Sequence, residues 1–211
     1  MPMIWTIPNI LTILRLLAAP GVALMFLYFN RLYADWFALL LFLSAAITDW
    51  FDGFLARRWK QETKFGAMLD PIADKAMVVI ALLLIVGYSS MSPWLVLPAT
   101  LIVFREVFVS GLREFLGNTA GDLKVTFLAK FKTTVQMLAI AVLFSQGIFE
   151  HYINQSTGVL PTDDPLLRWM QSGQNISVHL GLWLLWLAAA LTLITGIDYF
   201  RKALPHLREQ T

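Results

Sequence analysis

The sequence predicts an all-α polytopic membrane protein with six transmembrane helices, and three observations lead there. Of its 211 residues, 58% are hydrophobic and 14% charged, and the mean hydropathy is +0.66. Soluble domains average about 25% charged residues, so this chain lacks the polar surface that water would require. Six windows, 7–29, 35–57, 71–90, 93–116, 127–149 and 178–200, have the length and apolarity of a membrane span. The basic residues gather on one side of that plan. The absence of cysteine excludes disulfides, thiolate metal sites and cysteine nucleophiles.

The first window begins with candidate caps at Thr6 and Asn9. Arg15 interrupts its apolar run, so it reads as a retained helix rather than a cleaved signal. Asn9, Thr12 and Arg15 recur every three residues and share a helical face. In the fourth window, Arg105 and Arg113 are eight apart and fall on one face, each followed by a glutamate, Glu106 and Glu114. Lys130 and Lys132 enter the fifth window near its start. Residues 150–177 read as the only long connection, an outside loop with turn markers at Gly158, Pro161, Asp163, Asp164 and Pro165. Within it, Leu166, Leu167, Trp169 and Met170 beside Arg168 and Gln171 suggest a short interfacial helix.

Placing the amino terminus in the cytoplasm puts Arg57, Arg58, Lys60, Lys64, Lys75, Arg105, Arg113, Lys124, Lys130, Lys132, Arg201, Lys202 and Arg208 on or near the inside, with Arg31 and Arg168 outside. That bias predicts both termini in the cytoplasm. No repeat or soluble linker divides the chain, so residues 1–211 read as one membrane domain.

The chemistry concentrates between Asp49 and Asp74, in the order Asp-x2-Asp-Gly-x2-Ala-Arg-x8-Gly-x3-Asp-x3-Asp. Asp49 and Asp52 are three apart and Asp70 and Asp74 four apart, so on helices each pair projects from one face. Carboxylates at a bilayer centre each cost about 2.5–3.5 kcal/mol on insertion scales, and four together repel, so a cation is expected among them. Hard oxygen ligands favour Mg²⁺, Mn²⁺ or Ca²⁺. The histidines His151, His179 and His206 are scattered, and neither a Walker loop nor a dinucleotide fingerprint occurs. Nothing points to a nucleic-acid partner.

This run resembles the signature of the CDP-alcohol phosphotransferase family, with Asp49, Asp52, Gly53, Ala56, Arg57, Gly66, Asp70 and Asp74 filling every fixed position. The resemblance continues through Asn9-x2-Thr12-x2-Arg15, through Arg105-Glu106 and Arg113-Glu114, and through the run from Leu128 to Thr133. It implies phosphatidyl transfer from CDP-diacylglycerol to sn-glycerol 3-phosphate at a bacterial inner (cytoplasmic) membrane, by a homodimer among membrane lipids. Asp49, Asp52, Asp70 and Asp74 would hold a divalent metal, Mg or Mn and two ions in number, facing the cytoplasm, and Asp74 would also be the general base. Asn9, Thr12, Arg15, Gly53, Ala56, Arg57 and Gly66 would line the CDP-diacylglycerol pocket.

The residues leave alternatives beside these roles. Gly53 and Gly66 permit close approach of a ligand or of another helix. Arg57 suits phosphate oxygens or an interfacial anchor. Lys75, Arg105, Arg113, Lys130 and Lys132 could capture the phosphate of a water-soluble acceptor or snorkel to lipid headgroups. Other acceptors, namely inositol phosphate, serine or phosphatidylglycerol, would keep the same chemistry. A cation transporter would explain the acids, but it leaves Gly53, Ala56, Arg57 and Gly66 without a role. A non-catalytic lipid- or nucleotide-binding module is the third class.

Overall fold

The computed structural model describes residues 6–59, 63–117, 127–157, 159–161 and 163–208, with the side chains of residues 48–59, Lys130 and a few others outside that description. Six helices follow in order: α1 (Ile7–Tyr28), α2 (Arg31–Trp59), α3 (Lys64–Tyr88), α4 (Pro93–Leu116), α5 (Phe127–Ser156) and α6 (Pro165–Arg208). Among the described residues, all regular structure is helical apart from one bridge between Thr157 and Leu160.

Local chemistry fixes the helix starts. Thr6 caps α1, accepting from the Asn9 amide at 3.4 Å, and Pro8 follows in the first turn. Thr63 caps α3, accepting from the Gly66 amide at 3.0 Å. Asp164 accepts from the Leu166 amide at 2.8 Å, and Pro165 opens α6 behind it. Gly117, at φ +51°, ends α4 in the left-handed region.

Contacts between the helices give their directions. Thr12 meets Asp70, Arg15 meets Asp74 and Phe26 meets Tyr88, so α1 and α3 run parallel. Asp35 on α2 lies against Gly147, and Phe42 packs on Phe144, which makes α5 antiparallel to α2. Trp94 meets Trp186 and Phe108 meets Phe200, so α4 and α6 run parallel. Successive helices therefore alternate in direction.

The buried positions at these crossings are often small: Ala34, Ala38, Ala45, Ala81, Ala99, Ala139 and Ala188. Large side chains such as Leu27, Leu83, Trp94, Phe104 and Trp183 point outward. Small residues inside and bulky apolar ones outside are the arrangement of helices packed in lipid. Among the described residues, α1, α4, α5 and α6 contain stretches long and apolar enough to cross a membrane. The chain is a membrane protein; α2 and α3, which carry the signature acids, are not among those four helices.

The expected 150–177 loop is corrected. Helix α5 continues to Ser156 and α6 begins at Pro165, so residues 166–171 form the first part of α6 and not a separate interfacial helix. The cause is packing. Gly173 leaves room for the Phe149 ring, Phe149 meets Trp169 edge-on at 5.9 Å, and the Ser145 and Ser177 hydroxyls share a hydrogen bond of 2.9 Å. With 44 residues, α6 is about 66 Å long at 1.5 Å per residue, well beyond the ~30 Å hydrocarbon core.

Opposite the acids, an ion pair with a buried carboxylate draws four helices together. Asp35 is 0% exposed and accepts from Arg31 Nε at 2.8 Å. The Arg31 guanidinium lies 4.1 Å from the Tyr88 ring centroid, and the Tyr88 hydroxyl donates to the Phe26 carbonyl at 3.0 Å. A Cβ on Gly147 would overlap the Asp35 carboxylate. Gly147→Leu is therefore expected to destabilise the fold by about 1–3 kcal/mol. Gly21→Leu, where nothing lies within 4 Å, should be tolerated. Thermal unfolding of the two variants in detergent checks this, and equal midpoints would refute it.

Candidate active site

The α1 face predicted from sequence lies directly on the acid face of α3. Asn9 and Thr12 are each 2% exposed and Arg15 7%, deep burial for polar groups on a membrane helix. The Asn9 amide and the Thr63 hydroxyl exchange hydrogen bonds at 2.9 and 3.0 Å. The Thr12 hydroxyl donates to Asp70, and Arg15 Nη1 reaches Asp74 Oδ1 at 3.3 Å. Parallel helices make this register possible, because steps of three on α1 rise alongside steps of four on α3. Gly66 closes the contact: a Cβ there would stand 2.5 Å from Asn9 Oδ1. Gly66 thus admits α1 to α3, the helix-packing role left open by the sequence.

Asp70 is exposed and the Asp74 side chain 45% exposed, so both carboxylates remain accessible beside their α1 partners. Asp49, Asp52, Gly53, Ala56 and Arg57 lie on the last turns of α2, but their side chains fall outside the described residues. Among the described residues no three acids or histidines gather into a metal-binding group. Asp70 and Asp74 alone supply an accessible pair of hard oxygen ligands on one face, which fits a divalent cation.

Next to Asp74 opens a cavity of about 270 Å³, lined by Pro71, Asp74, Lys75, Val78, Arg105, Glu106, Arg113, Lys132, Thr133 and Gln136. It is smaller than the ~300–1,000 Å³ of drug-sized ligand sites, so it suits a small molecule. Four of the five predicted cations meet here; the Lys130 side chain lies outside the described residues. Glu106 holds two of them in place. It forms an ion pair with Lys132 and accepts from Arg105 Nη1 at 3.4 Å. Arg105 Nη2 also reaches Thr195 Oγ1 at 3.4 Å, and Gly196 gives its stem passage along α6. Lys75 donates to the Ser110 hydroxyl, which in turn donates to the Glu106 carbonyl at 2.7 Å. The Arg113 guanidinium stacks 5.1 Å from the Tyr199 ring centroid.

Lys132 and Arg105 are thus interior groups rather than headgroup anchors. Glu106 neutralises part of the charge of Arg105 and Lys132. Its bond to Lys132 on α5 was hidden from sequence, as was Gln136, although Gln136 lies one helical turn from Lys132 on the same face. Ser110, Thr195 and Tyr199 were likewise missed, because only tertiary packing brings them to these cations.

Asp70 and Asp74 on α3 thus stand beside a pocket lined by four cations within a helical membrane bundle. A model of the CDP-alcohol phosphatidyltransferase family matches residues 5–194, and the chain belongs to that family. A protein of Cereibacter sphaeroides named CDP-diacylglycerol--glycerol-3-phosphate 3-phosphatidyltransferase is 62% identical, over 98% of this chain and 99% of its own. Proteins of the same name are 46% identical in Pectobacterium atrosepticum, over 66% of this chain and 76% of that one, and 36% identical in Escherichia coli K12, over 98% and 99%.

Gly66→Ala should push Asn9 away from Thr63 and misalign the Asp70 and Asp74 face. A displacement near 1 Å at a reacting site can cost about 100-fold, so CMP release from a CDP-alcohol lipid is expected to fall by one to two orders of magnitude. Unchanged release would show that the α1–α3 contact does not set the site.

Proposed function

We propose that this chain transfers the phosphatidyl group of CDP-diacylglycerol to sn-glycerol 3-phosphate, giving phosphatidylglycerol phosphate and CMP. The observation that carries this reading is the cationic pocket opening directly beside Asp74, in a chain 62% identical along nearly its whole length to a relative bearing that activity in its name. All six helices would cross the inner membrane, consistent with their alternating directions. Lys75, Arg105, Arg113, Lys132, Arg201 and Lys202 lie toward the Asp74 end and Arg31 and Arg168 toward the other, which supports a cytoplasmic active site and cytoplasmic termini.

In this mechanism Lys75, Arg105, Arg113 and Lys132 bind the acceptor phosphate, with Lys130 as a further candidate. Glu106 keeps Lys132 and Arg105 from repelling one another before the acceptor arrives. Asn9, Thr12 and Arg15, with Gly53, Ala56 and Arg57, line the donor side, Gly66 seats α1 against α3 behind them, and Arg15 would meet a diphosphate oxygen beside Asp74. The primary hydroxyl of glycerol 3-phosphate attacks the lipid-side phosphorus. Its proton passes to Asp74 as the new P–O bond forms. The bond to the bridging oxygen breaks, and that oxygen leaves with CMP. The donor's acyl chains stay in lipid throughout.

Phosphatidyl transfer in this family is generally dependent on a divalent metal. Asp49, Asp52, Asp70 and Asp74 would hold it, as Mg²⁺ or Mn²⁺ and as two ions. Bound there, it supplies neutralisation of charge at the diphosphate. A homodimer is part of the same reading by resemblance.

The deciding experiment measures CMP release from CDP-diacylglycerol by the purified chain with Mg²⁺ or Mn²⁺, offering glycerol 3-phosphate, inositol phosphate and serine separately. Glycerol 3-phosphate alone should support turnover; a different productive acceptor would overturn the assignment and keep the chemistry. Asp74→Asn should lower turnover by about 100-fold or more through loss of the base. Lys132→Met is expected to raise KM for glycerol 3-phosphate about tenfold or more, the scale of one charge-assisted hydrogen bond, with little change in KM for CDP-diacylglycerol. Equal effects on both substrates would refute its place in the acceptor site.

A further inference from the structure

Gln136 is the lining residue of the cavity that neither the charges nor the acids explain. It is 2% exposed on α5, among the buried apolar residues Val135, Ala139 and Ile140. Its Oε1 has no hydrogen-bond partner among the described residues. A buried amide oxygen left unpaired is costly and uncommon in folded proteins, and more so in a membrane bundle. Such a group is expected to meet its partner when the cavity fills.

Its position names that partner's chemistry. Lys132 and Gln136 are one turn apart on α5, as Asp74 and Val78 are on α3, and all four line the cavity. Since α3 and α5 point the same way, Gln136 and Val78 form the deeper layer, below the cations and the acid. A small acceptor held by its phosphate at Lys132 and Arg105 and by its reacting hydroxyl at Asp74 is fixed at two points. A third polar group on the acceptor would face the deeper layer, where, of its two lining residues, Gln136 can hydrogen-bond it and the apolar Val78 cannot.

We infer that Gln136 hydrogen-bonds the secondary hydroxyl of the glycerol phosphate acceptor and is a specificity-determining residue of the pocket. The amide can both accept from and donate to that hydroxyl. Three attachment points also separate mirror images, so Gln136 favours one enantiomer of glycerol phosphate over the other. This inference rests on the acceptor reading above.

The test compares kcat/KM for sn-glycerol 3-phosphate with that for 3-hydroxypropyl phosphate, which keeps the primary hydroxyl and the phosphate but lacks the secondary hydroxyl. Purified full-length protein is supplied with CDP-diacylglycerol and Mg²⁺. The unmodified chain should prefer glycerol 3-phosphate by roughly tenfold or more, because the analogue leaves a buried polar group unpaired. Gln136→Met and Gln136→Leu should lower kcat/KM for glycerol 3-phosphate and leave that for the analogue within about threefold, collapsing the preference. The ratio between sn-glycerol 3-phosphate and sn-glycerol 1-phosphate should shrink with it. Equal use of the two acceptors by the unmodified chain overturns the inference without any variant. A parallel fall with both acceptors in the variants, ratio unchanged, also overturns it, since that is the signature of a purely structural residue. Failure of the unmodified chain to use glycerol 3-phosphate at all, while using another acceptor, would sink the acceptor reading itself.

Discussion

The parallel contact between α1 and α3 is the constraint on which the rest of the structure depends. Both helices carry a polar face into a bundle whose surroundings cannot hydrate it. Neither face is tolerable alone: three polar groups on α1 would be stranded, and two carboxylates on α3 would repel each other. Set in register, with Thr12 on Asp70 and Arg15 on Asp74, they satisfy one another in part and leave the accessible carboxylate oxygens for a cation or a substrate. Gly66 is what brings the two backbones close enough, since any side chain there would meet Asn9. The polar residues thus hold the helices together, and the same contact aims the acids.

A second pairing rule governs the basic pocket. Arg105, Arg113, Lys75 and Lys132 come from three helices, and without Glu106 their mutual repulsion would oppose packing α3, α4 and α5 together. Glu106 joins Lys132 to Arg105 and so offsets part of that repulsion. Two carboxylates, Glu106 and Asp74, among four cations still leave the pocket positive, the sign that attracts an anionic acceptor. The far end of the bundle contrasts with it. There Arg31 and Asp35 balance one to one, stacked on Tyr88 and pressed by Gly147. That pair offsets its own charge and pins α2 to its neighbours.

Much of this was legible in the chain, and what was not has a physical cause. The 93–116 window coincides with α4 because a long apolar run is a local property of the chain. The face of Asn9, Thr12 and Arg15 could be read because a three-residue step is a local property. The α5–α6 hairpin could not, since its extension rests on Phe149 meeting Gly173 and Trp169, contacts between residues about 20 apart whose polar flanks resemble a loop. Glu106 was visible as a neighbour of Arg105, but its bond to Lys132 crosses 26 residues. Gln136 carries no charge and belongs to no motif, so only the geometry of the cavity singles it out.

The position of the two sites resolves a problem of solubility. The donor's acyl tails belong in hydrocarbon, whereas a phosphorylated acceptor belongs in water, and the phosphorus to be attacked must be reachable from both. Asp74 faces α1 on one side and the basic cavity on the other, so in the proposed mechanism donor and acceptor would approach it from different directions without exchanging environments. Pro71 sharpens that division. It lies between the two acids on α3 and lacks an amide hydrogen, so the helix cannot complete its usual bond to the carbonyl four residues earlier. The turn from Ala67 to Pro71, which carries Asp70, is therefore short of one backbone hydrogen bond.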